Sequence, residues 1–500
     1  MRGEKAEALD DEGEPSAGRH LNVDQKVRGC LTAKERPGKW KRLPLRVLHY
    51  DIDLILLPVP PDSPIADAPG RIDARCTLRL RNEGRRPVRH VRLILYRLLD
   101  VSSAETARRP IALLQTQRRI ALDWTDALFV NRVTLTLENA IEPGAEIAVA
   151  LCYGGTLVGY RELGAYMHDS VQRDVAVLRP EVLWYPVPGP LTWQGFQCAW
   201  SRAPFTVSAH CPAGWDCFVA GTQKSGPSDS HFTFESTGSA STPGIHLYAG
   251  RYEARRDGPV AVHHLPGGEA WARTAAAAGA FALGELERLL GAPPVGNGQA
   301  TFVAIPPGWG SQNLFDIITQ TAEEHPARTF REVAHEVSHF WTPIAEGDPD
   351  RFAEAIAHFF EDYLEGLREG PTAVDAAIAA HMATLRQRPE AAKAPLAGAG
   401  THPDIETISR QKGPLALWAL ARAIGVPKTM DVLSTWAHTK GGGADEFAAL
   451  LLERLGDEKG FNASHFVDDW FHADLCPLDL DLAPDTALRR VAAHYLDGQP

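Results

Sequence analysis

A chain of 500 residues, 44% of them apolar, carries more material than one hydrophobic core usually holds, so two large parts divided near residue 255 are expected. Its 51 basic and 63 acidic side chains leave a formal charge of −12, which argues against a nucleic-acid partner, because neutralising phosphates needs a basic face. No uninterrupted apolar run of about 18 residues offers a membrane span.

Residues 1–42 are charged and glycine-containing, without the apolar core of a secretory signal, and read as a flexible tail. Seven cysteines, an odd number scattered from Cys30 to Cys476, suggest no disulfide framework, so a reducing cytoplasm is the expected home. Cys211 and Cys217 lack the spacing of a zinc knuckle and read as structural thiols.

The first half announces β structure. Ile72, Ala74, Cys76, Leu78 and Leu80 alternate with Asp73, Arg75, Thr77, Arg79 and Arg81, the period of a half-buried strand. Val133, Leu135 and Leu137 repeat it, as do Ile147, Val149, Leu151 and Tyr153. Turn clusters at Asn82-Glu83-Gly84 and Glu142-Pro143-Gly144 separate them, which predicts an antiparallel sandwich or saddle over residues 43–255. From Gly268 onward the texture becomes helical, with an alanine-rich helix around Trp271 to Leu290 and one strand, Thr301 to Ile305. Residues 256–480 are expected to form this mainly helical part, and 481–500 a C-terminal tail. The fold class expected is therefore α+β with two domains.

The sequence His335-Glu336-Val337-Ser338-His339-Phe340-Trp341 carries H-E-x-x-H, which on a helix sets two imidazoles four residues apart on one face, where both can ligate one zinc ion. Glu336, one step round, then serves as general base toward a metal-polarised water. Thr329 to Glu332 reads as a capping box. Phe330, Val333, Ala334, Val337 and Trp341 follow at helical spacing as a buried stripe, and Pro343 is expected to stop the helix.

A second helix is predicted after an Asp348-Pro349 cap and before Gly370-Pro371. Phe352, Ile356, Phe359, Phe360, Tyr363 and Leu367 make its apolar stripe; Glu354, His358, Glu361 and Glu365 lie on the other side. A catalytic zinc needs a third protein ligand and an open fourth position, and Glu354 is the choice. His358 reads as a neighbour, and Glu361 as the partner of a ligating imidazole.

These residues resemble the gluzincin zinc aminopeptidases, the aminopeptidase N-like metallopeptidases. There, H-E-x-x-H is usually followed by x-W, and a downstream helix reading roughly N-E-G-F-A-x-Y-x-E supplies the glutamate ligand. Ala353 to Glu361 matches that helix and places Glu354 on the ligand position. Fourteen residues (340–353) separate it from His339, fewer than is usual. Leu48 to Leu54 is similar to the first strand of the family's N-terminal β domain, Leu247 to Tyr252 to its exit, and Leu290 to Pro293 to the turn before a thermolysin-like catalytic domain. The similarity spans about residues 45–480 and implies one zinc ion per chain, peptide substrates and a form without the family's C-terminal helical-repeat domain.

The resemblance also locates two departures. Trp309-Gly310-Ser311-Gln312-Asn313 stands where the family has G-x-M-E-N, whose glutamate binds the substrate's amino terminus. Gly310, Gln312 and Asn313 are thereby implied as substrate-binding, with a neutral Gln312 in place of the carboxylate. Before Lys412-Gly413, Arg410 takes the position of the family's oxyanion tyrosine and is implied as catalytic, with His402 as another donor. Three functions are compatible with this pattern: a zinc peptidase, aminopeptidase-like in mode; a catalytically impaired pseudo-peptidase that binds zinc and a peptide or protein partner; and a hydrolase of non-peptide substrates on the same scaffold.

Overall fold

A computed structural model describes residues 44–60, 69–120, 128–160, 168–189, 191, 203–228, 230–236, 244–295, 298–314, 317–322, 325–342, 351–439, 442–456 and 458–496. The tail expected over 1–42 lies outside them, as do Pro343 and Asp348-Pro349.

The first half is built on an eight-stranded sheet. In spatial order its strands are β13 (Gln223–Ser228), β14 (His231–Ser236), β11 (Phe205–His210), β1 (Leu45–Leu57), β2 (Arg71–Asn82), β8 (Glu146–Thr156), β4 (Leu99–Thr106) and β5 (Arg109–Pro110). Its pairs are antiparallel except β1 with β11, which run parallel with Ile52 opposite Val207. The alternation read from the sequence sets the faces: Ile72, Ala74, Cys76, Leu78 and Leu80 all point inward. A second sheet, β10 (Val187–Pro188), β3 (Val88–Tyr96), β7 (Phe129–Ile141) and β6 (Ala112–Arg119), contributes Val91, Leu93, Val133 and Leu135 to the same core. A three-stranded sheet of β12 (Asp216–Val219), β15 (Leu247–Gly250) and β9 (Val175–Leu178) completes this half.

The second half opens with more sheet than the sequence announced. Where one strand was expected, five assemble in the order β16 (Glu253–Asp257), β17 (Val260–His264), β18 (Ala300–Ile305), β20 (Ile318–Thr321) and β19 (Gln312–Asn313). The central pairs are parallel and the two edges antiparallel. Strands of two to five residues are too short to show a period of their own, so only assembly reveals them.

Helices then dominate: α1 (Glu269–Leu290), α2 (Pro326–Ser338), α3 (Phe352–Glu369), α4 (Pro371–Arg386), α5 (Gly413–Ile424), α6 (Val426–Ala437), α7 (Ala444–Leu455), α8 (Ala463–Val467) and α9 (Pro484–His494). The last corrects the expected tail over 481–500. Leu488, Val491 and Tyr495 are buried in the helical core, and that burial holds the segment in place. No described helix is long and apolar enough to cross a membrane.

The two halves meet through a small apolar cluster in which Val175, Val177 and Tyr248 touch Val303, Ile305 and Trp309. Arg179 fixes the junction. Fully buried, it pairs with Asp169 at 2.6 Å and donates to the carbonyl oxygens of Trp309 (2.8 Å) and Gly310 (3.0 Å). A planar guanidinium fork can satisfy a carboxylate and two carbonyls at once, and so it holds residues 309–313 against the β-rich half.

Candidate metal centre

Helix α2 carries the H-E-x-x-H residues but begins earlier than the sequence suggested. Pro326 occupies its first turn after His325, and Thr329, expected as the cap, lies inside the helix with its hydroxyl donating to the His325 carbonyl. Proline suits a first helical position because that amide needs no intrahelical partner, and this start prevailed. Glu332, the other half of the expected capping box, pairs instead with Arg328 and accepts from Gln320. The stripe of Phe330, Val333, Ala334, Val337 and Trp341 is buried as expected. The helix ends at Ser338, yet His339 keeps right-handed backbone angles, so the i, i+4 relation of the two imidazoles survives.

Helix α3 packs against α2. Arg351 precedes it in a left-handed conformation (φ 55°), and Gly370 (φ 95°) closes it. Of its expected apolar stripe, Leu367 is 44% exposed; the last turn meets its neighbours through Gly366, close against Val374, and Arg368, over the Phe330 ring. Glu354 and Glu361, on the acidic side, are buried, so this is no solvated face.

The two helices bring His335, His339 and Glu354 together. Glu354 Oε2 lies 3.7 Å from His335 Nε2 and Oε1 lies 3.8 Å from His339 Nε2. One nitrogen from each ring and one carboxylate oxygen all fall within 4.8 Å of one another. Direct hydrogen bonds would be shorter, at ~2.7–3.2 Å. Ligands of a tetrahedral zinc ion, with bonds of about 2.0–2.2 Å, stand roughly 3.4 Å apart. Two imidazoles and a carboxylate at these separations are the donor set and spacing that a zinc ion fits.

The surroundings orient each of these side chains. Glu361 Oε2 lies 3.3 Å from His335 Nδ1 and 2.9 Å from His358 Nδ1, while Arg331 holds Oε1 at 2.6 Å. Glu361 thus supports the far edge of His335, a common arrangement for a ligating imidazole. His339 Nδ1 faces the Thr342 hydroxyl at 3.2 Å. Burial disfavours a charged His335, but hydrogen bonding to Glu361 and the nearby charges of Glu354, Glu336 and Glu361 outweigh it, and its pKa is raised. Burial also opposes ionisation of Glu354; Arg410, Arg351 and the two imidazoles reverse that and hold its carboxyl well below the usual range. His358 goes the other way: burial, then the charge of His335, lowers it to about 4. A neutral His358 suits a packing neighbour of the site, its ring 4.4 Å from that of His335.

Arg410 reaches the centre. Its Nη2 lies 3.2 Å from Glu354 Oε2 and its Nε 3.0 Å from Glu406 Oε2, and Arg351 pairs with the same Glu406. The backbone from Ile408 to Lys412 is a π-helical turn. Gly413 follows because nothing larger fits: a Cβ there would stand 2.3 Å from that of Ala355, the residue after Glu354. That close approach brings Arg410 beside α3. His402 accepts a hydrogen bond at Nδ1 from the Asp404 amide.

On the other side, Asn313 donates to the backbone carbonyl of Glu336, tying β19 to α2. Gly310 turns the loop with φ 71°. Gln312 Nε2 donates to Glu181 Oε1 at 3.3 Å. Glu181 comes from a single turn (Pro180–Val182) of the β-rich half and was not found in the sequence, since no local pattern links it to a residue 131 positions later. The second oxygen of Glu181 and the amide oxygen of Gln312 are buried without a hydrogen-bond partner among the described residues. Arg351 and Glu406 were also missed; no periodic signal marks either.

The fold is that of the M1 zinc metallopeptidases. The chain is similar to the M1 zinc metallopeptidase of Deinococcus radiodurans, with 19% identity over 89% of this chain and 96% of the other and a TM-score of 0.53. A mutant of that enzyme bound to a Tyr-Ser-Ala substrate aligns at 20% identity over 89% of this chain and 98% of the other, also with a TM-score of 0.53. Yeast LTA4 hydrolase in complex with bestatin aligns at 12% identity over 91% of this chain and 72% of the other, with a TM-score of 0.58. No family model matches the sequence, and no curated protein matches it significantly.

Proposed function

We propose that this chain is a zinc-dependent peptidase, aminopeptidase-like in mode, in which His335, His339 and Glu354 hold one zinc ion and Glu336 is the general base. The convergence of those three donors from α2 and α3, on this fold, carries the reading. Bound there, zinc supplies a Lewis acid that polarises the scissile carbonyl and makes water a competent nucleophile near neutral pH.

The protein's own groups do the rest. Glu336 takes the proton of the attacking water and passes it to the departing amine. Arg410, a cation beside Glu354, offsets negative charge developing on the carbonyl oxygen. Glu181 and Gln312 present two buried acceptor oxygens without partners among the described residues, and a substrate ammonium, rich in donors, satisfies both. The carboxylate that Gln312 lacks is thereby supplied from the β-rich half by Glu181. Peptides are the substrates this arrangement suits. A reducing cytoplasm is its proposed home.

A second reading is favoured by the Arg410–Glu354 contact: a pseudo-peptidase in which the arginine caps the ligand carboxylate and the cleft binds a peptide without cleaving it. A panel of aminoacyl fluorogenic substrates beside N-blocked peptides, run before and after chelation, separates the two. Cleavage of free-amine substrates, lost on chelation and restored by zinc, is expected. Failure to cleave either set with zinc bound supports the binder, and cleavage of blocked peptides alone rejects the aminopeptidase mode.

A further inference from the structure

Far along the chain from the H-E-x-x-H helix, a second group of ligand atoms converges. His465 on α8 and Asp469 in the π-helical turn that continues it (Asp468–His472) stand four residues apart, on one face. His494, the last residue of α9, comes against them from the C-terminal helix. One ligand atom from each of the three lies within 4.8 Å of the others.

The separations distinguish two explanations. Asp469 Oδ2 is 3.5 Å from His465 Nε2 and 3.7 Å from His494 Nε2. An imidazole donating directly to a carboxylate would approach to ~2.7–3.2 Å. Both contacts are too long for that, and both nitrogens face the same oxygen. Edges of this length are close to the roughly 3.4 Å between donors around an ion with bonds of about 2.0–2.2 Å. The carboxylate is also held: Tyr495, whose ring is buried, donates its hydroxyl to the same Oδ2 at 3.0 Å. Hydrogen-bonded support of a ligating carboxylate is what built metal sites show.

We infer that His465, Asp469 and His494 form a second metal site, distinct from the H-E-x-x-H centre, which takes a divalent transition-metal ion of the zinc class. Two imidazoles and one carboxylate select such an ion over calcium or magnesium, which prefer all-oxygen shells. With His494 half exposed, solvent completes the coordination. The ion's role is structural. It ties α9 to α8, which the Asn462 amide and Tyr495 carbonyl already join by a backbone hydrogen bond of 2.8 Å.

Zinc uptake by the full chain, followed by equilibrium dialysis, tests this without reference to catalysis. Wild type is expected to bind one more zinc equivalent than His494→Ala or His465→Ala, and to gain thermal stability on zinc addition that both variants lack. Tyr495→Phe keeps the extra equivalent with affinity lowered about tenfold. Matching metal-free melting curves show that the His494→Ala chain is folded. Equal zinc uptake by wild type and the two histidine variants overturns the site, as does an extra equivalent that appears only at millimolar zinc.

Discussion

Arg410 and Glu354 form an ion pair, Nη2 to Oε2 at 3.2 Å, although they come from different helical segments 56 residues apart in the chain. The contact puts a permanent cation at the edge of the proposed zinc ligand, where it lowers the Glu354 pKa. Replacing Arg410 with alanine is expected to lower kcat/KM by about 10²- to 10³-fold, the cost typical of losing one oxyanion donor. Zinc content measured on the same samples should be retained. If zinc is lost in proportion and activity per bound zinc is unchanged, Arg410 positions Glu354 and does not meet substrate.

Glu336→Gln removes the proposed base while keeping the side-chain shape. Turnover should fall by roughly 10²- to 10⁴-fold, with the zinc stoichiometry unaltered. Unchanged turnover would remove Glu336 as the base, and a zinc-loaded wild type without turnover, whose peptide affinity the variant keeps, would leave only the binding role.

The pairing of Glu181 with Gln312 makes substrate charge the variable to change. Glu181→Gln is expected to raise KM for peptides with a free amino terminus by about 10- to 100-fold, the worth of one charge-assisted hydrogen bond of ~1.5–3 kcal/mol. KM for N-acetylated peptides should not move. Equal effects on both sets would show that Glu181 shapes the cleft and does not read the amine.

Lys412 gives stability a pH signature. Its ammonium is fully buried and donates to the carbonyl oxygens of Ala394 (2.6 Å) and Leu475 (3.0 Å), and burial lowers its pKa from 10.5 to about 8. Below pH 8 the group is charged in both folded and unfolded chains, and the burial cost is constant. Between about pH 8 and 10.5 the unfolded chain holds a proton that the folded one has released, so stability rises with pH across that window. The stability of wild type relative to Lys412→Met should therefore increase by up to about 3 kcal/mol over that range, since each pKa unit corresponds to ~1.4 kcal/mol. Urea midpoints of the two proteins at several pH values measure it, and a flat difference would contradict the assignment.

Much of the scaffold was legible because its signals are local. Period-two alternation marked β2, β7 and β8, and the spacing of Phe330, Val333, Ala334 and Val337 marked the buried stripe of α2. Local rules misplaced details where two of them competed. Thr329 offered a cap, but Pro326 three residues earlier began the helix; Leu367 continued a stripe that the last turn leaves exposed. The five-stranded sheet was read as one strand because β19 and β20 have two and four residues and no period of their own.

What the chain determined by itself was the chemistry available: two imidazoles at i, i+4, a glutamate between them, and a carboxylate-bearing helix downstream. These are properties of one or two helical turns, fixed by backbone geometry before any packing occurs. Tertiary structure alone decided which distant groups meet. Glu181 reaches Gln312 only through the junction that Arg179 holds, Arg410 reaches Glu354 only because Gly413 lets its helix close on Ala355, and His494 reaches Asp469 only because α9 docks on the helical core. Each of these contacts depends on how sheets and helices stack, which is set by burial over the whole molecule and leaves no trace in the spacing of neighbouring residues.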